Sequence, residues 1–332
     1  MRLLSYLLLL FLSAGVFSAQ ANSCEHHFSA DNSYKSSPPY SKKFIETHST
    51  KQFNPTILRR GDIRGIFLKD LDFGFVEIFA ESLSQYLRKK TSSNQPHVLL
   101  AHDARIPSAP LSDLLIEKLL ERGVHVDKIG LMPTPVAYYL METHSLDAAV
   151  IITASHNPKE YIGFKTVLNS NYKTVNSAIE INRIILENNK EQKSGPITNI
   201  KAQTKIIDSA SSYIEALKTE FNTLSFDSFV LDTSNGAGGP IAKKIFEAFD
   251  LNPHYINLTP DGAFPNHEPD PTKINNLKQL SQKVNETNSE FGIALDGDGD
   301  RIVIISADGK IIEADQYAYL FLPELAETQD SK

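Results

Sequence analysis

Two short stretches of this chain hold residue types that can do chemistry. In Thr153-Ala154-Ser155-His156-Asn157-Pro158 a lone hydroxyl stands between a small residue and an imidazole, on a segment that reads as a tight loop. In Asp296-Gly297-Asp298-Gly299-Asp300-Arg301 three carboxylates alternate with glycines at the end of an apolar run. Ser155 is not nucleophilic by itself at neutral pH. It needs a base, or a metal and positive charge that stabilise its alkoxide or its phosphate ester. His156, its immediate neighbour, is better suited to touching a phosphate than to serving as a Ser-His-Asp base, and the Gly-x-Ser-x-Gly elbow of serine hydrolases is missing. Backbone amides around Ala154–Asn157 can cradle a phosphate. Taken alone, a plain turn serine explains the segment as well.

The acidic stretch is more specific. Aspartates at i, i+2 and i+4 bring oxygen donors to one side of a tight turn, and the glycines permit the backbone angles this demands. Hard oxygen donors suit Mg²⁺. An EF-hand loop opens in a similar way but requires Gly at its sixth position and Glu at its twelfth, which here are Arg301 and Ala307. A solvated acidic turn is the plainer alternative. A nucleophile and a divalent-metal cage call for each other, because phosphoryl transfer needs both an acceptor and charge neutralisation. Asn235-Gly236-Ala237-Gly238-Gly239 approaches a dinucleotide fingerprint, but Ile241 occupies the third glycine position and the match fails. A tight strand-to-helix turn accounts for it. Neither a P-loop nor zinc-ligand spacing occurs.

The elements needed to position these loops are legible as alternating apolar patterns. Strand-like runs at His97–Ala101, Val124–Ile129 and Ala148–Ile152 alternate with helical patterns at Phe73–Lys89, Leu111–Glu121 and Val136–Met141. A second set follows: helix Ser209–Phe221, strand Phe229–Leu231, helix Gly238–Phe249, strand Pro253–Ile256, helix Ile274–Val284 and strand Phe291–Leu295. Ile302–Ser306 and Lys310–Ile312 flank Ala307-Asp308-Gly309 as a hairpin, and Ala314–Glu327 reads as a last helix. The prediction is α/β: two consecutive α/β domains with mostly parallel, mixed sheets, over 53–196 and 197–327. Asn188–Pro196 reads as a polar excursion or linker. Both chemical loops fall at strand ends, where α/β proteins place their sites.

Composition bounds the rest. The 332 residues suffice for two domains, and 41% hydrophobic with 22% charged residues fit a globular protein. A net charge of −7 without a dense basic run argues against a nucleic-acid partner. Arg2, the apolar stretch Leu3–Leu12 and Ala19-Gln20-Ala21 have the form of a signal peptide over residues 1–21, too short to span a bilayer. Export to a periplasmic or extracellular space is therefore expected, with a mis-assigned start codon on a cytoplasmic protein as the alternative. Residues 22–52 read as a flexible leader. Cys24 is the only cysteine, so no internal disulfide is expected.

With both loops in hand, the chain resembles the α-D-phosphohexomutase family of phosphoglucomutases and phosphomannomutases, especially the bacterial phosphomannomutase/phosphoglucomutase type. Thr153–Pro158 looks like the family's phosphoserine loop, and Asp296–Arg301 is identical to its metal loop. Asp62-Ile63-Arg64-Gly65 matches the opening motif, and Asp103-Ala104-Arg105 with Ser108 resembles a further conserved segment. Pro133-Thr134-Pro135, Gly163-Phe164-Lys165 and Asp261-Gly262-Ala263-Phe264-Pro265-Asn266-His267 follow in order. The resemblance implies domains 1 and 2 of the family fold and an isomerase that interconverts hexose 1- and 6-phosphates. Ser155 would carry the phosphoryl group and hexose 1,6-bisphosphate would prime it. Mg²⁺ would be held by Asp296, Asp298, Asp300 and the seryl phosphate. Arg64 and Lys165 would act near the reacting hydroxyl as acid/base groups or charge stabilisers. His156, Arg301, Thr153 and Asn157 would lie around the phosphate. Gly61 and Ile162 depart from the usual Tyr and Asn beside two of these motifs. The family's sugar loop and C-terminal phosphate clamp find no match, so a separate C-terminal-half polypeptide is an expected partner beside the hexose phosphates. A catalytically inactive remnant that binds phosphosugar or metal is the alternative reading.

Overall fold

The computed structural model describes residues 40–169, 177–191, 201–221, 228–313 and 315–316. Among these the chain divides into two compact units, one of residues up to Ala154 with Pro158–Ser209, the other of Ser155–Asn157 with the residues from Ala210 onward.

The first unit contains α1 (Lys42–Thr47), β1 (Ile63–Ile66), α2 (Phe75–Thr91), β2 (His97–His102), α3 (Ser108–Leu120), β3 (His125–Leu131), α4 (Thr134–Thr143), β4 (Ala148–Ile152), β5 (Tyr161–Leu168), α5 (Ser177–Glu191) and β6 (Thr204–Ile206). Its six strands run in the order β1-β5-β4-β2-β3-β6. The β4–β2–β3–β6 pairs are parallel, and β5 pairs antiparallel with both β4 and β1. All five residues of β4 are buried, as a strand covered on both faces requires. Helix α2 shows why the sequence folds here: Val76, Phe79, Ala80, Leu83, Tyr86 and Leu87 recur at helical spacing and are all fully buried. Its last turn carries Arg88, Lys89 and Lys90 toward the negative end of the helix dipole, and Ser92 closes it in the left-handed region at φ 55°.

The second unit holds α6 (Ser209–Glu220), β7 (Phe229–Asp232), α7 (Gly238–Ala248), β8 (His254–Ile256), α8 (Lys278–Thr287), β9 (Phe291–Leu295), β10 (Ile302–Ser306) and β11 (Ile311–Ile312). The strand order is β11-β10-β9-β7-β8, parallel across β9–β7–β8 and antiparallel across β9–β10–β11. The two sheets repeat one plan. Strand, helix, strand, helix, strand (β2-α3-β3-α4-β4 and β7-α7-β8-α8-β9) is followed by a turn into an antiparallel neighbour, β5 or β10. Each chemical loop is that turn.

Several expectations change. Residues 40–52 are not a flexible leader: α1 is capped by Ser41, and Tyr40 and Phe44 pack against the first core, with Tyr40 edge-on to Phe73 at 5.4 Å. Thr50 donates to Asp72 through its amide at 2.9 Å and its hydroxyl at 2.6 Å. Thr204–Ile206, expected in the second domain, completes the first sheet beside β3. The polar stretch from Asn188 is helical as far as Glu191, because Ile181, Ile184 and Ile185 give α5 an apolar stripe that its polar end simply extends. The helix expected over Ile274–Val284 is a 3₁₀ turn, Ile274–Leu277, leading into α8. The expected signal peptide, most of the leader and nearly all of Ala314–Glu327 lie outside the described residues. Among the described residues no helix is long and apolar enough to cross a membrane.

Candidate active site

The serine loop leaves the sheet where β4 ends. Its two shoulders are fastened to one buried ion pair. Asp103, directly after β2, is 1% exposed, and Arg105 is 2% exposed. Asp103 Oδ2 accepts from Arg105 Nε at 3.0 Å and from the Thr153 hydroxyl at 2.8 Å, while Oδ1 accepts from the Arg105 amide at 3.0 Å and from Ser108 Oγ at 2.5 Å. The same guanidinium donates through Nη1 to the carbonyls of Pro158 (2.5 Å) and Tyr161 (3.2 Å). Thr153 before the serine and Pro158 after it are thus tied to one charge pair. The Thr153 amide also donates to the Gly163 carbonyl at 3.0 Å. Gly163 has to be glycine, since a Cβ there would stand 2.3 Å from the Ile63 carbonyl and 2.7 Å from that of Thr153. Held this way, Ser155 sits in the left-handed region at φ 52°, a conformation that costs a non-glycine residue free energy and persists only where its surroundings enforce it.

The acidic loop joins β9 to β10. Asp296 Oδ1 accepts from the amides of Asp300 and Arg301, each at 3.1 Å, which folds the loop back on its first residue. Gly299 supplies a positive φ of 68°. The strand-to-helix turn after β7 supports the loop from behind: Ser234 Oγ donates to the Leu295 carbonyl at 2.6 Å and the Ala237 amide to the Gly297 carbonyl at 3.0 Å. A Cβ on Gly236 would meet that Gly297 carbonyl at 2.6 Å. The glycine-rich segment that fails as a dinucleotide fingerprint is therefore a bracket for the acidic loop.

The described carboxylates converge. Asp296, Asp298 and Asp300 each offer an oxygen, all within 4.8 Å of one another, and Asp296 and Asp298 are fully buried. Such separations are those of oxygens sharing one hard cation, whose ligands lie about 2.0–2.6 Å from it. Carboxylates held this close and out of water repel one another strongly unless a cation joins them. The donor set therefore fits Mg²⁺. Ser155 Oγ donates to Asp296 Oδ2 at 2.7 Å and lies 3.3 Å from His156 Nδ1. A Cβ on Gly297 would stand 2.7 Å from the Ser155 carbonyl, so only glycine allows this approach.

Ser155, His156, Asp296, Asp298 and Asp300 are accordingly brought together, with Asn157 half-buried beside them and Arg301 exposed at the end of the acidic loop. The Thr153 hydroxyl donates to Asp103 and so anchors the loop two residues before Ser155. Arg64 and Lys165 belong to the first unit. Arg64 lies opposite Gly163 in the β1–β5 ladder, and Lys165 is two residues further along β5, so both fall on one sheet face. Arg64 is mostly buried and pairs with Asp62. Among the supporting residues, Asp103, Arg105 and Ser108 stand in a segment the family resemblance had already singled out, whereas for Ser234 and Asp232 the one available signal was an aspartate at the end of a strand.

Comparison with known proteins agrees with this geometry. Residues 56–192 match the model of phosphoglucomutase/phosphomannomutase α/β/α domain I, and residues 211–309 match that of domain II. The chain belongs to the α-D-phosphohexomutase family. A phosphomannomutase/phosphoglucomutase of Pseudomonas syringae pv. tomato is 35% identical over 271 residues, covering 80% of this chain and 55% of the relative. A phosphoglucosamine mutase of Caldicellulosiruptor bescii is 34% identical over 236 residues, covering 70% and 51%. Among solved structures, a phosphoglucomutase/phosphomannomutase family protein of Burkholderia thailandensis superposes with a TM-score of 0.74 at 28% identity, covering 84% of this chain and 60% of that one. The chain spans about half the length of the curated relatives it matches.

Proposed function

We propose that this phosphohexomutase chain carries the phosphoryl-transferring half of a hexose-phosphate mutase. One observation supports the reading above the others: the Ser155 hydroxyl lies 2.7 Å from Asp296 Oδ2, at the edge of three converging carboxylates. Asp296, Asp298 and Asp300 would hold Mg²⁺, which when bound offsets negative charge on the phosphoryl oxygens. Phosphorylated Ser155 gives its phosphoryl group to the free hydroxyl of a hexose 1- or 6-phosphate. The bond from phosphorus to the serine oxygen breaks, the bond to the sugar oxygen forms, and the proton lost by the sugar hydroxyl is balanced by one taken up at the freed Ser155 oxygen. The bisphosphate then returns its other phosphoryl group to Ser155, and hexose 1,6-bisphosphate is also the primer for an unphosphorylated chain. The loop contributes position, since a loose transition state responds mainly to placement and positive charge. Arg64 and Lys165 are the cations assigned to the reacting hydroxyl, and His156 and Arg301 those assigned to the phosphate.

Recognition of the sugar and its distal phosphate is assigned to polypeptide beyond these two domains, a continuation of the chain or a separate partner. Residues 1–21 are assigned as an export signal, and amino-terminal sequencing of the secreted protein would then begin at Asn22. Without selection for chemistry, nothing would keep a buried serine strained against a carboxylate cage, which counts against an inactive remnant. The test is a coupled assay for conversion of glucose 1-phosphate to glucose 6-phosphate with Mg²⁺ and a supplied C-terminal half. Activity lost on Ser155→Ala or Asp298→Asn supports the reading. Activity indifferent to both removes it.

A further inference from the structure

Resting on that reading, we propose that His267 is a positioning residue for the metal loop, acting as a cation paired with Asp232 to lock the turn that carries Asp296. His267 lies outside the acidic loop, in the segment joining β8 to α8. Its side chain is 9% exposed and that of Asp232 is fully buried. Nε2 stands 3.0 Å from Asp232 Oδ2 and Nδ1 stands 2.8 Å from the Glu268 carbonyl. Asn257 Nδ2 also lies 3.2 Å from Nε2, but its two hydrogens have nearer acceptors in Asp232 Oδ1 and Gln279 Oε1, each at 3.0 Å. Nε2 then faces a carboxylate and Nδ1 a carbonyl, both of which accept, and an imidazolium with hydrogen on both nitrogens satisfies the pair. Burial opposes that charge, but the hydrogen bond and charge of Asp232, with the Glu268 carbonyl, outweigh it and hold the imidazole above its ordinary pKa. The carboxylate of Glu268 is itself occupied by Lys273, at 2.5 Å.

Asp232 passes this anchoring on. Its Oδ1 accepts from the Ser234 amide at 2.8 Å and from Asn257 Nδ2 at 3.0 Å. Ser234 and Asn235 both lie in the left-handed region, at φ 52° and 53°, so the turn would relax if that capping bond failed. Ser234 Oγ in turn holds the carbonyl of Leu295, the residue before Asp296. The first unit repeats the device. Asp103, at the end of the equivalent strand β2, accepts from the amide two residues on, is paired with a buried cation in Arg105, and braces the serine loop. The registers also correspond. Asp232 lies opposite Ala294, two residues before Asp296, and Asp103 follows the His102–Ile152 pair, which sets it beside Thr153, two residues before Ser155. His267 is to the metal loop what Arg105 is to the phosphoserine loop.

The test uses the full chain with Mn²⁺ as the probe, read by calorimetric titration. His267→Gln leaves Asp232 a buried charge without its cation, and the Kd for Mn²⁺ should rise about 3- to 10-fold, below the range for partners that touch a metal ligand directly. In the double variant Asp232→Asn/His267→Gln the new amide keeps an oxygen toward Ser234 and gives its NH₂ to the glutamine. Affinity should return to within about twofold of wild type. Wild-type affinity in His267→Gln, or no recovery in the double variant, overturns the proposal. If His267→Gln does not fold, a ¹⁵N histidine titration of the wild-type chain decides: His267 should titrate above the ordinary histidine value, and a neutral ring at that value refutes the pair. A wild-type chain that binds no Mn²⁺, or an Asp298→Asn variant that binds it normally, removes the metal site itself along with the inference.

Discussion

Asp103→Asn is the sharpest probe of how the serine loop is held. The substitution preserves volume but turns one acceptor oxygen into a donor. Each oxygen of Asp103 accepts two hydrogen bonds, from the Arg105 amide and Ser108 Oγ on one side and from Arg105 Nε and Thr153 Oγ1 on the other. Whichever way the amide turns, its NH₂ faces donors, and the Arg105 guanidinium keeps a buried charge without its counter-ion. Breaking one partner of a buried pair costs about 3–5 kcal/mol. In a domain of about 150–250 residues each kcal/mol lowers the melting temperature by roughly 2–4 °C, so a fall of about 6–20 °C is expected in thermal unfolding followed by circular dichroism. Thr153→Val removes only one bond to a charged acceptor and should cost about 1.5–3 kcal/mol. Because both variants destroy the same Thr153–Asp103 bond, the double variant should lose less than the sum of the two. Loading of Ser155 from glucose 1,6-bisphosphate should slow by about 10²-fold in Asp103→Asn, the scale of a 1 Å misplacement at a reacting atom. A variant that melts within about 2 °C of wild type and loads phosphate at the wild-type rate would refute this account of the loop.

Other expectations follow from the same geometry. Gly297→Ala puts a Cβ 2.7 Å from the Ser155 carbonyl and 3.2 Å from the Pro269 Cβ, so mass spectrometry should find phosphate incorporation sharply reduced. Asp298→Asn should weaken Mn²⁺ binding by at least tenfold in calorimetry while raising thermal stability without metal, because it relieves repulsion among buried carboxylates. For His102, burial pushes the imidazole below its ordinary pKa against the pull of the Asp103 carbonyl. Stability tied to its neutral form is therefore complete above the ordinary histidine value and declines as pH falls through it toward the folded pKa. His102→Gln should flatten that part of the urea-stability profile below neutrality, and an unchanged slope would count against the assignment.

Much of the site was legible because its chemistry is local in sequence. The aspartates at i, i+2 and i+4 with intervening glycines read as an oxygen cage beside the plainer reading of a solvated turn, and Ser155 beside His156 read as a loop residue. The buried parallel strands announced themselves as apolar runs. What stayed hidden depends on contacts distant along the chain. β6 is three exposed residues whose strand character comes from pairing with β3 alone. Tyr40 and Phe44 lie among polar residues, and their packing shows only through later rings, those of Phe67 and Phe73, against Tyr40, and through the bonds from Thr50 to Asp72. Asp232 and His267 are 35 residues apart, and no spacing rule joins them. The hydrogen bond from the Thr153 hydroxyl reaches a carboxylate 50 residues earlier in the chain, which no local pattern announces. The repeated sheet plan was equally invisible, since it lies in topology and register rather than in residue identity.

The central claim is that Ser155, held against the aspartate cage, carries the phosphoryl group. Intact-mass analysis of the full chain after incubation with glucose 1,6-bisphosphate and Mg²⁺ tests it most directly, with peptide mapping to locate the modification. The account predicts one added phosphoryl group, on Ser155, that fails to appear in Ser155→Ala or when the metal is chelated. A folded chain that takes up no phosphate, or takes it up on another residue, would contradict it.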